Sequence, residues 1–273
     1  MPLERATQRA EIHPRICVNG LSSRKWTLDQ DIAFYPTLGV GTVAIPFVKL
    51  AGDVRAGVEA IKAAGLRPAV LAGGAATPFL GGLAVLKAPI DAASAMNCPV
   101  FYSISGAAAH LMPTDEAYRA LVEALEPVSA YARQKGVRLA IENSSIATRG
   151  HGFVHTLADA ADLARDADID ICLELQNCWY ERRLPQLFKE NAERIAIVQV
   201  SDFLVGEELR LNRRVPGDGS IPLEWMIERL LDVGYAGLFD IEVLGPHIEA
   251  EGYASAIGRS LDWLSERLAR WGV

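Results

Sequence analysis

The amino-acid sequence predicts an α/β fold, a (β/α)8 barrel formed by residues 1–273 as a single domain. Eight short apolar runs with high β-propensity recur along the chain, and each leads into a longer stretch with helical periodicity. The length of 273 residues is typical of one such barrel. No Pro/Ser-rich linker and no shift in composition divides the chain. A doubly wound open sheet is the alternative fold.

The predicted strands are mostly continuous apolar runs, which is typical of parallel strands that are covered on both faces. In chain order they span Arg15–Asn19, Thr42–Pro46, Arg67–Ala72, Pro99–Ser105, Val137–Asn143, Asp170–Gln176, Ala196–Ser201 and Gly237–Leu244. The strands have no alternating polar face, so we expect helices on the outside of the sheet.

Amphipathic stretches follow the strands and predict the helices. They span Leu28–Leu38, Asp53–Ala64, Ala84–Met96, Asp115–Lys135, Thr156–Asp166, Leu184–Glu193, Leu223–Asp232 and about Glu251–Trp271. Thr114 is predicted to be an N-cap, because Asp115 and Glu116 follow it in the first turn. Gly65, Gly136 and Gly234 are predicted to end helices.

The phosphate-binding motifs of open sheets are missing. Residues 18–21, after the first strand, read Val-Asn-Gly-Leu and do not match GxGxxG. The glycine-rich stretch from Gly73-Gly74 to Gly81-Gly82 lacks the Lys-Ser/Thr pair of a P-loop. These absences favour the barrel over the open sheet, and we expect the glycine-rich stretch to form a loop at the barrel mouth.

Composition and charge narrow the classes of function. The net charge of −7 gives no basic field for nucleic acid, so we expect a small-molecule partner. The four cysteines form no CxxC pair, which argues against a disulfide framework or a zinc knuckle. No apolar run reaches the roughly 18–20 residues that cross a membrane, and the polar opening is unlike a signal peptide. We expect a cytoplasmic protein, and the sequence permits a homo-oligomer.

Polar side chains end the last four apolar strands. Glu142, Glu174, Gln199 and Glu242 are among them, and the carboxyl ends of the strands carry the active site of such barrels. A buried carboxylate must be paired or bound to a metal, because burying the lone charge costs several kcal/mol. The converging carboxylates therefore predict a cation. For each carboxylate taken singly, pairing with an arginine or capping a loop is the alternative.

These strand ends resemble the xylose-isomerase-like TIM barrels of the sugar phosphate isomerase/epimerase superfamily. The segment Arg213-Arg214-Val-Pro-Gly-Asp-Gly is similar to the family's Arg and PGxG motif after strand seven. The segment Gly234-Tyr-Ala-Gly237 is similar to its GYxG approach to the last ligand. The resemblance implies metal ligands at Glu142, Glu174, Gln199 and Glu242. Two positions depart from the family pattern: Glu174 stands where Asp is usual, and Asn177 where His is common.

The implied ligand set consists of three carboxylates and one amide oxygen, which favours one Mn²⁺ or Mg²⁺ over Zn²⁺. Gln199 resembles the hydroxypyruvate isomerase branch of the superfamily, in which an amide replaces imidazole. The endonuclease IV branch needs a histidine-rich cluster of zinc ions. None of the five histidines ends a strand here, so the sequence argues against that branch.

The resemblance implies a metal-dependent isomerase or epimerase that acts on a small hydroxy-carbonyl compound, either a sugar or a cyclic polyol. Glu142 or Glu242 would remove a proton next to the carbonyl, and the other would return it. A dehydratase that uses the same enolate is one alternative. A non-catalytic binding protein is another, because Glu174 and Asn177 alter the site. Substrate contacts are expected from Asn177, Arg214, Trp179, Asp202 and His151, and Arg213 is the alternative to Arg214.

Overall fold

Eight parallel strands pair in chain order and close into a barrel, which confirms the predicted fold class. They are β1 (Ile16–Asn19), β2 (Thr42–Pro46), β3 (Arg67–Ala72), β4 (Val100–Ser103), β5 (Arg138–Glu142), β6 (Asp170–Glu174), β7 (Ile195–Val200) and β8 (Phe239–Ile241). The computed structural model describes residues 11–50, 52–73 and 82–273. Most of the glycine-rich stretch, residues 74–81, lies outside the described residues.

Helices follow the strands and cover the barrel. They are α1 (Leu28–Phe34), α2 (Val54–Ala63), α3 (Leu83–Ala95), α4 (Thr114–Gln134), α5 (Leu157–Asp166), α6 (Leu184–Asn191), α7 (Leu223–Asp232), α8 (Pro246–Glu251) and α9 (Tyr253–Trp271). In the described ranges, none of these helices has the length and apolar character needed to span a membrane.

The helix ends agree with the sequence prediction at three glycines and differ from it at two places. Gly65, Gly136 and Gly234 have φ values of +69°, +71° and +86°, the left-handed conformation predicted for helix stops. Thr114 is the first residue of α4 rather than its N-cap, because Pro113 occupies the N-cap position. The short α8 was not predicted, and Pro246 begins it, since proline tolerates the first helical turn.

Two buried clusters make up the core. The larger one lies between the strands and the helices. The smaller one consists of strand residues only, most of them small, and fills the barrel interior: Cys17, Ala44, Ala69, Val70, Ala72, Val100, Tyr102, Ala140, Cys172, Ala196 and Ile197. Side chains alternate along a strand, so the residue two positions after an interior residue also faces inward, closer to the barrel mouth.

Candidate active site

Strand alternation places the four predicted ligands inside the mouth of the barrel. Glu142 ends β5 and Glu174 ends β6, each two residues after an interior side chain. Gln199 stands two residues after the interior Ile197, and Glu242 follows β8 directly. All four residues are buried. The structure thus brings together the strand-end residues that the sequence singles out.

A cavity of about 430 Å³ opens above these residues. Its polar lining includes Tyr102, Glu142, Asn177, Arg213 and Glu242. Its apolar lining is formed by Leu21, Val48, Ile104, Leu211 and Leu244. Glu174 and Gln199 lie deeper in the barrel and have no exposed surface. The volume falls within the range of about 300–1,000 Å³ that is usual for small-molecule sites.

Arg213 forms the centre of the carboxylate cluster. Its Nη1 lies 2.6 Å from Glu174 Oε2 and 3.1 Å from Glu242 Oε1. The same nitrogen donates to the backbone carbonyl of Glu242 at 2.7 Å. The contact with Glu174 is an ion pair without hydrogen-bond geometry. Because the Arg213 side chain is only 4% exposed, its charge acts on both carboxylates at short range and away from water.

Three side-chain donors from other strands of the barrel converge on Glu242. Its Oε2 accepts from Asn19 Nδ2 at 3.0 Å, from the Tyr102 hydroxyl at 3.2 Å and from Gln199 Nε2. Gln199 Oε1 is buried and has no hydrogen-bond partner among the described residues. Burial raises the pKa of Glu242 to about 7, although the charge of Arg213 acts to lower it.

Glu174 shows what the longer side chain does in a position where aspartate is usual. Its Oε1 accepts from the backbone N–H of Gln176 at 3.1 Å and caps the short 3-10 turn Leu175–Asn177. Its Oε2 reaches Arg213. Burial raises the pKa of Glu174, and Arg213 opposes this rise. The carboxylate therefore both caps a loop and pairs with an arginine, the two alternatives to metal binding that the sequence leaves open.

Glu142 differs from the other two glutamates. Among the described residues, no group forms a hydrogen bond or ion pair with its carboxyl, which faces the cavity. Burial raises the pKa of Glu142 well above its usual value, and the charges of Glu242 and Glu174 raise it further. Glu142 is thus the carboxyl group most available to a bound molecule.

The four predicted ligands do not fit a divalent cation as they are arranged. Three carboxylates and an amide have the oxygen chemistry that Mg²⁺ and Mn²⁺ prefer. However, every carboxylate oxygen of Glu174 and Glu242 already lies close to a donor, and the cation between them is Arg213. Within the described ranges, no three Asp, Glu, His or Cys side chains converge closely enough to hold an ion.

Only some of the residues that were predicted to contact substrate line the cavity. Asn177 and His151 line it. Arg214 does not line it: its Nη2 pairs with Glu207 Oε2 at 2.7 Å, and Arg213 rather than Arg214 lines the cavity. Trp179 also lies outside the lining and packs against the core.

Asp202 is a positioning residue of the loop after β7. Its Oδ2 accepts from the backbone N–H groups of Gly217 and Gly219, both at 3.0 Å. Its Oδ1 accepts from the N–H groups of Phe203 and Ile221. These four bonds fix the loop that carries Arg213. Asp202, one of the expected substrate contacts, therefore does not line the cavity.

Asn19 and Tyr102 belong to the site but were not predicted from the sequence. Asn19 ends β1, and Tyr102 is the third of the four residues of β4. The prediction rests on polar residues at the ends of the last four strands. Asn19 is the polar residue at the end of β1, and strand alternation places Tyr102 two residues after the interior Val100, so the same patterns in the first four strands indicate both residues.

Comparisons with known proteins place the fold in a family. A model of the xylose isomerase-like TIM barrel family matches residues 38–267. The IolI protein, solved with a binding zinc atom, superposes with a TM-score of 0.79 at 16% identity over 94% of this chain and 98% of that one. At this identity the likeness concerns the fold.

Two characterised relatives are similar in sequence. Fructoselysine 3-epimerase of Shigella flexneri is 23% identical over 169 residues, which cover 59% of this chain and 58% of the relative. Inosose isomerase of Halalkalibacterium halodurans is 24% identical over 193 residues, which cover 67% of each chain. Both relatives are isomerases or epimerases, and the alignments leave a third or more of each outside the match.

Proposed function

Because this chain belongs to the xylose isomerase-like TIM barrel family, we propose that it is an isomerase or epimerase of a small hydroxy-carbonyl compound, either a keto-sugar or a cyclic polyol. The names of the two characterised relatives support this class of reaction and substrate. The cavity volume and the polar groups at its floor suit such a molecule.

The observation that carries the proposal is that Glu142 and Glu242 line one cavity from strands that are not neighbours. Two carboxyl groups on different sides of a bound molecule can remove a proton next to its carbonyl and return it elsewhere. Return to the other face of the same carbon gives an epimer. Return to the neighbouring carbon gives an isomer.

Glu142 is the proposed base, since no described residue forms a hydrogen bond or ion pair with its carboxylate. Burial raises its pKa, which makes the ionised form a stronger base than an exposed glutamate. Arg213 lines the same cavity, and its Nε is buried and has no hydrogen-bond partner among the described residues. That N–H group can donate to the oxygen on which negative charge develops when the proton leaves.

The test is hydrogen exchange with solvent. Keto-sugars and inososes are incubated with the protein in D₂O, and deuterium on carbon is measured by NMR and mass spectrometry. We expect incorporation next to the carbonyl for at least one compound. Glu142→Gln should slow it by about 10²–10⁴-fold, the usual contribution of a general base. Asp170→Asn is the matched control, because Asp170 pairs with Arg138 at the opposite end of the barrel.

Other outcomes decide against this reaction. Turnover without deuterium incorporation would contradict the proton transfer. Loss of water from the compound would identify the dehydratase alternative, which shares the enolate. Binding of these compounds without exchange or turnover would identify the binding-protein alternative.

A further inference from the structure

We propose that the Arg213 guanidinium is the resident cation of this site and stands in place of the divalent metal ion that the family resemblance implies. The inference rests on the proposed function only in that it concerns the same cavity.

The first step is that Arg213 already contacts two of the three carboxylates that would bind a metal, those of Glu174 and Glu242. One nitrogen, Nη1, contacts Glu174 Oε2 at 2.6 Å and Glu242 Oε1 at 3.1 Å. The remaining oxygens accept elsewhere: Glu174 Oε1 from Gln176, and Glu242 Oε2 from three side chains. A metal ion would have to displace these donors, and it would then lie next to a buried positive charge, which is strongly unfavourable.

The second step concerns the residues that depart from the family pattern. Glu174 is one methylene longer than aspartate, and this length lets it reach Arg213 while it caps its own loop. Asn177 stands where histidine is common, and its amide donates to the carbonyl of Asn143 at 2.8 Å. Gln199 directs its amide nitrogen, a donor, at Glu242. The two departures, Glu174 and Asn177, and also Gln199 thus each direct a polar group at another group of the protein.

The third step is that the protein holds Arg213 rigidly. Its backbone N–H donates to the carbonyl of Leu244 at 2.9 Å, and its Nη1 donates to the carbonyl of Glu242. Asp202 anchors the loop on the far side through four backbone N–H groups. Arg213 is therefore a built-in part of the mouth rather than a mobile surface arginine.

The experiment compares metal binding and stability in four proteins. Wild type, Arg213→Met, Arg213→Lys and Arg214→Met are purified without chelator, and their metal content is measured. Mn²⁺ binding is followed by calorimetry, and melting temperature is recorded with EDTA and with MnCl₂. Arg214→Met is the matched control, because Arg214 is also a buried arginine paired with a glutamate, Glu207, but does not line the cavity.

We expect wild type and Arg213→Lys to bind no stoichiometric Mn²⁺ and to melt at the same temperature with EDTA and with MnCl₂. Arg213→Met should melt about 10 °C lower, because it leaves buried carboxylates without a counter-charge. Mn²⁺ should bind it at least about tenfold more tightly than wild type and restore much of the loss. Arg214→Met should lose stability that Mn²⁺ does not restore.

Two results would overturn the proposal. One is wild-type protein that binds one Mn²⁺ per chain and melts at a lower temperature in EDTA. The other is an Arg213→Met protein that Mn²⁺ stabilises no more than it stabilises Arg214→Met. If Arg213→Met does not fold, the wild-type and Arg213→Lys measurements decide the question alone. No substrate is used, so failure of the deuterium-exchange test leaves this result intact, and the reverse also holds.

Discussion

At the scale of the residue, the three glutamates of the site are chemically identical, but their surroundings differ. Glu174 and Glu242 both contact Arg213, whereas Glu142 feels the charge of Arg213 without forming an ion pair with any described residue. Opposite charge favours the ionised form of a carboxyl, and burial near like charge disfavours it. The proposed division of roles between base and structural anion thus follows from the position of each glutamate.

Tyr102 offers a test of how Glu242 is held. Its hydroxyl donates to Glu242 Oε2 and accepts from Asn19 and Gln199, which both keep another acceptor if the hydroxyl is removed. We expect Tyr102→Phe to fold, with a loss of about 1 kcal/mol in unfolding free energy. The kcat should fall about tenfold with little change in KM, since the substituted hydroxyl acts through Glu242.

The matched control for this variant is Tyr131→Phe, whose hydroxyl donates to Asp91 at 2.6 Å between helices of the outer layer. Its kcat should equal that of wild type. Equal kcat values for Tyr102→Phe and wild type would mean that Tyr102 only fills space in the barrel.

At the scale of the element, the loop after β7 decides which arginine enters the cavity. The backbone of Arg214 pairs with that of Asp202 in an isolated antiparallel bridge. Side chains on an extended segment alternate, so Arg213 and Arg214 point to opposite sides. A shift of one residue in the register of this bridge would exchange the directions in which the two arginine side chains point.

Gly219 tests the importance of this loop. A Cβ at this position would lie 2.1 Å from Asp202 Oδ1 and 2.6 Å from the carbonyl oxygen of Phe203, too close for the loop to keep its shape. We expect Gly219→Ala to lose about 1–3 kcal/mol of unfolding free energy, measured by urea denaturation. The rate of deuterium exchange should also fall, because a change in the shape of the loop displaces Arg213.

Gly41→Ala serves as the control, since a Cβ there would meet no atom within 4 Å. It should leave both stability and exchange within error of wild type. A Gly219→Ala protein as stable and active as Gly41→Ala would refute the role assigned to the loop.

At the scale of the whole molecule, α9 covers the seam where β1 pairs with β8 and the barrel closes. Leu261, Leu264 and Leu268 lie on one face of α9 and are fully buried, which is the spacing of a helix packed along one stripe. The sequence leaves open whether this face packs on the barrel or on another chain. The structure shows that it packs on the barrel.

Shortening a buried side chain on this face of α9 should lower the unfolding free energy of the whole barrel. We expect Leu264→Ala to lower the unfolding free energy by about 2–5 kcal/mol, a large share of the roughly 5–15 kcal/mol typical of a domain. The loss should appear as a lower midpoint of urea denaturation. Leu209→Ala, at a side chain that is 55% exposed, should change it by no more than about 0.5 kcal/mol.

The amino-acid sequence is sufficient to predict the barrel and several of the residues at its mouth. The bounds of β2 and β3 coincide with their predicted ranges, because a continuous apolar run is buried on both faces wherever it lies in a parallel barrel. Glu142 and Glu242 followed from the same pattern, since a polar residue directly after such a run must lie at a strand end.

The partners of these carboxylates could not be predicted from the sequence and follow from the tertiary structure. Arg213 lies 39 positions after Glu174 in the sequence, and no local rule pairs them or selects Arg213 over Arg214. The choice depends on a backbone bridge, a loop tied to Asp202 and the length of the Glu174 side chain. Charges interact through space rather than along the chain, so the counter-ion of a buried cluster is fixed only when the barrel closes around it.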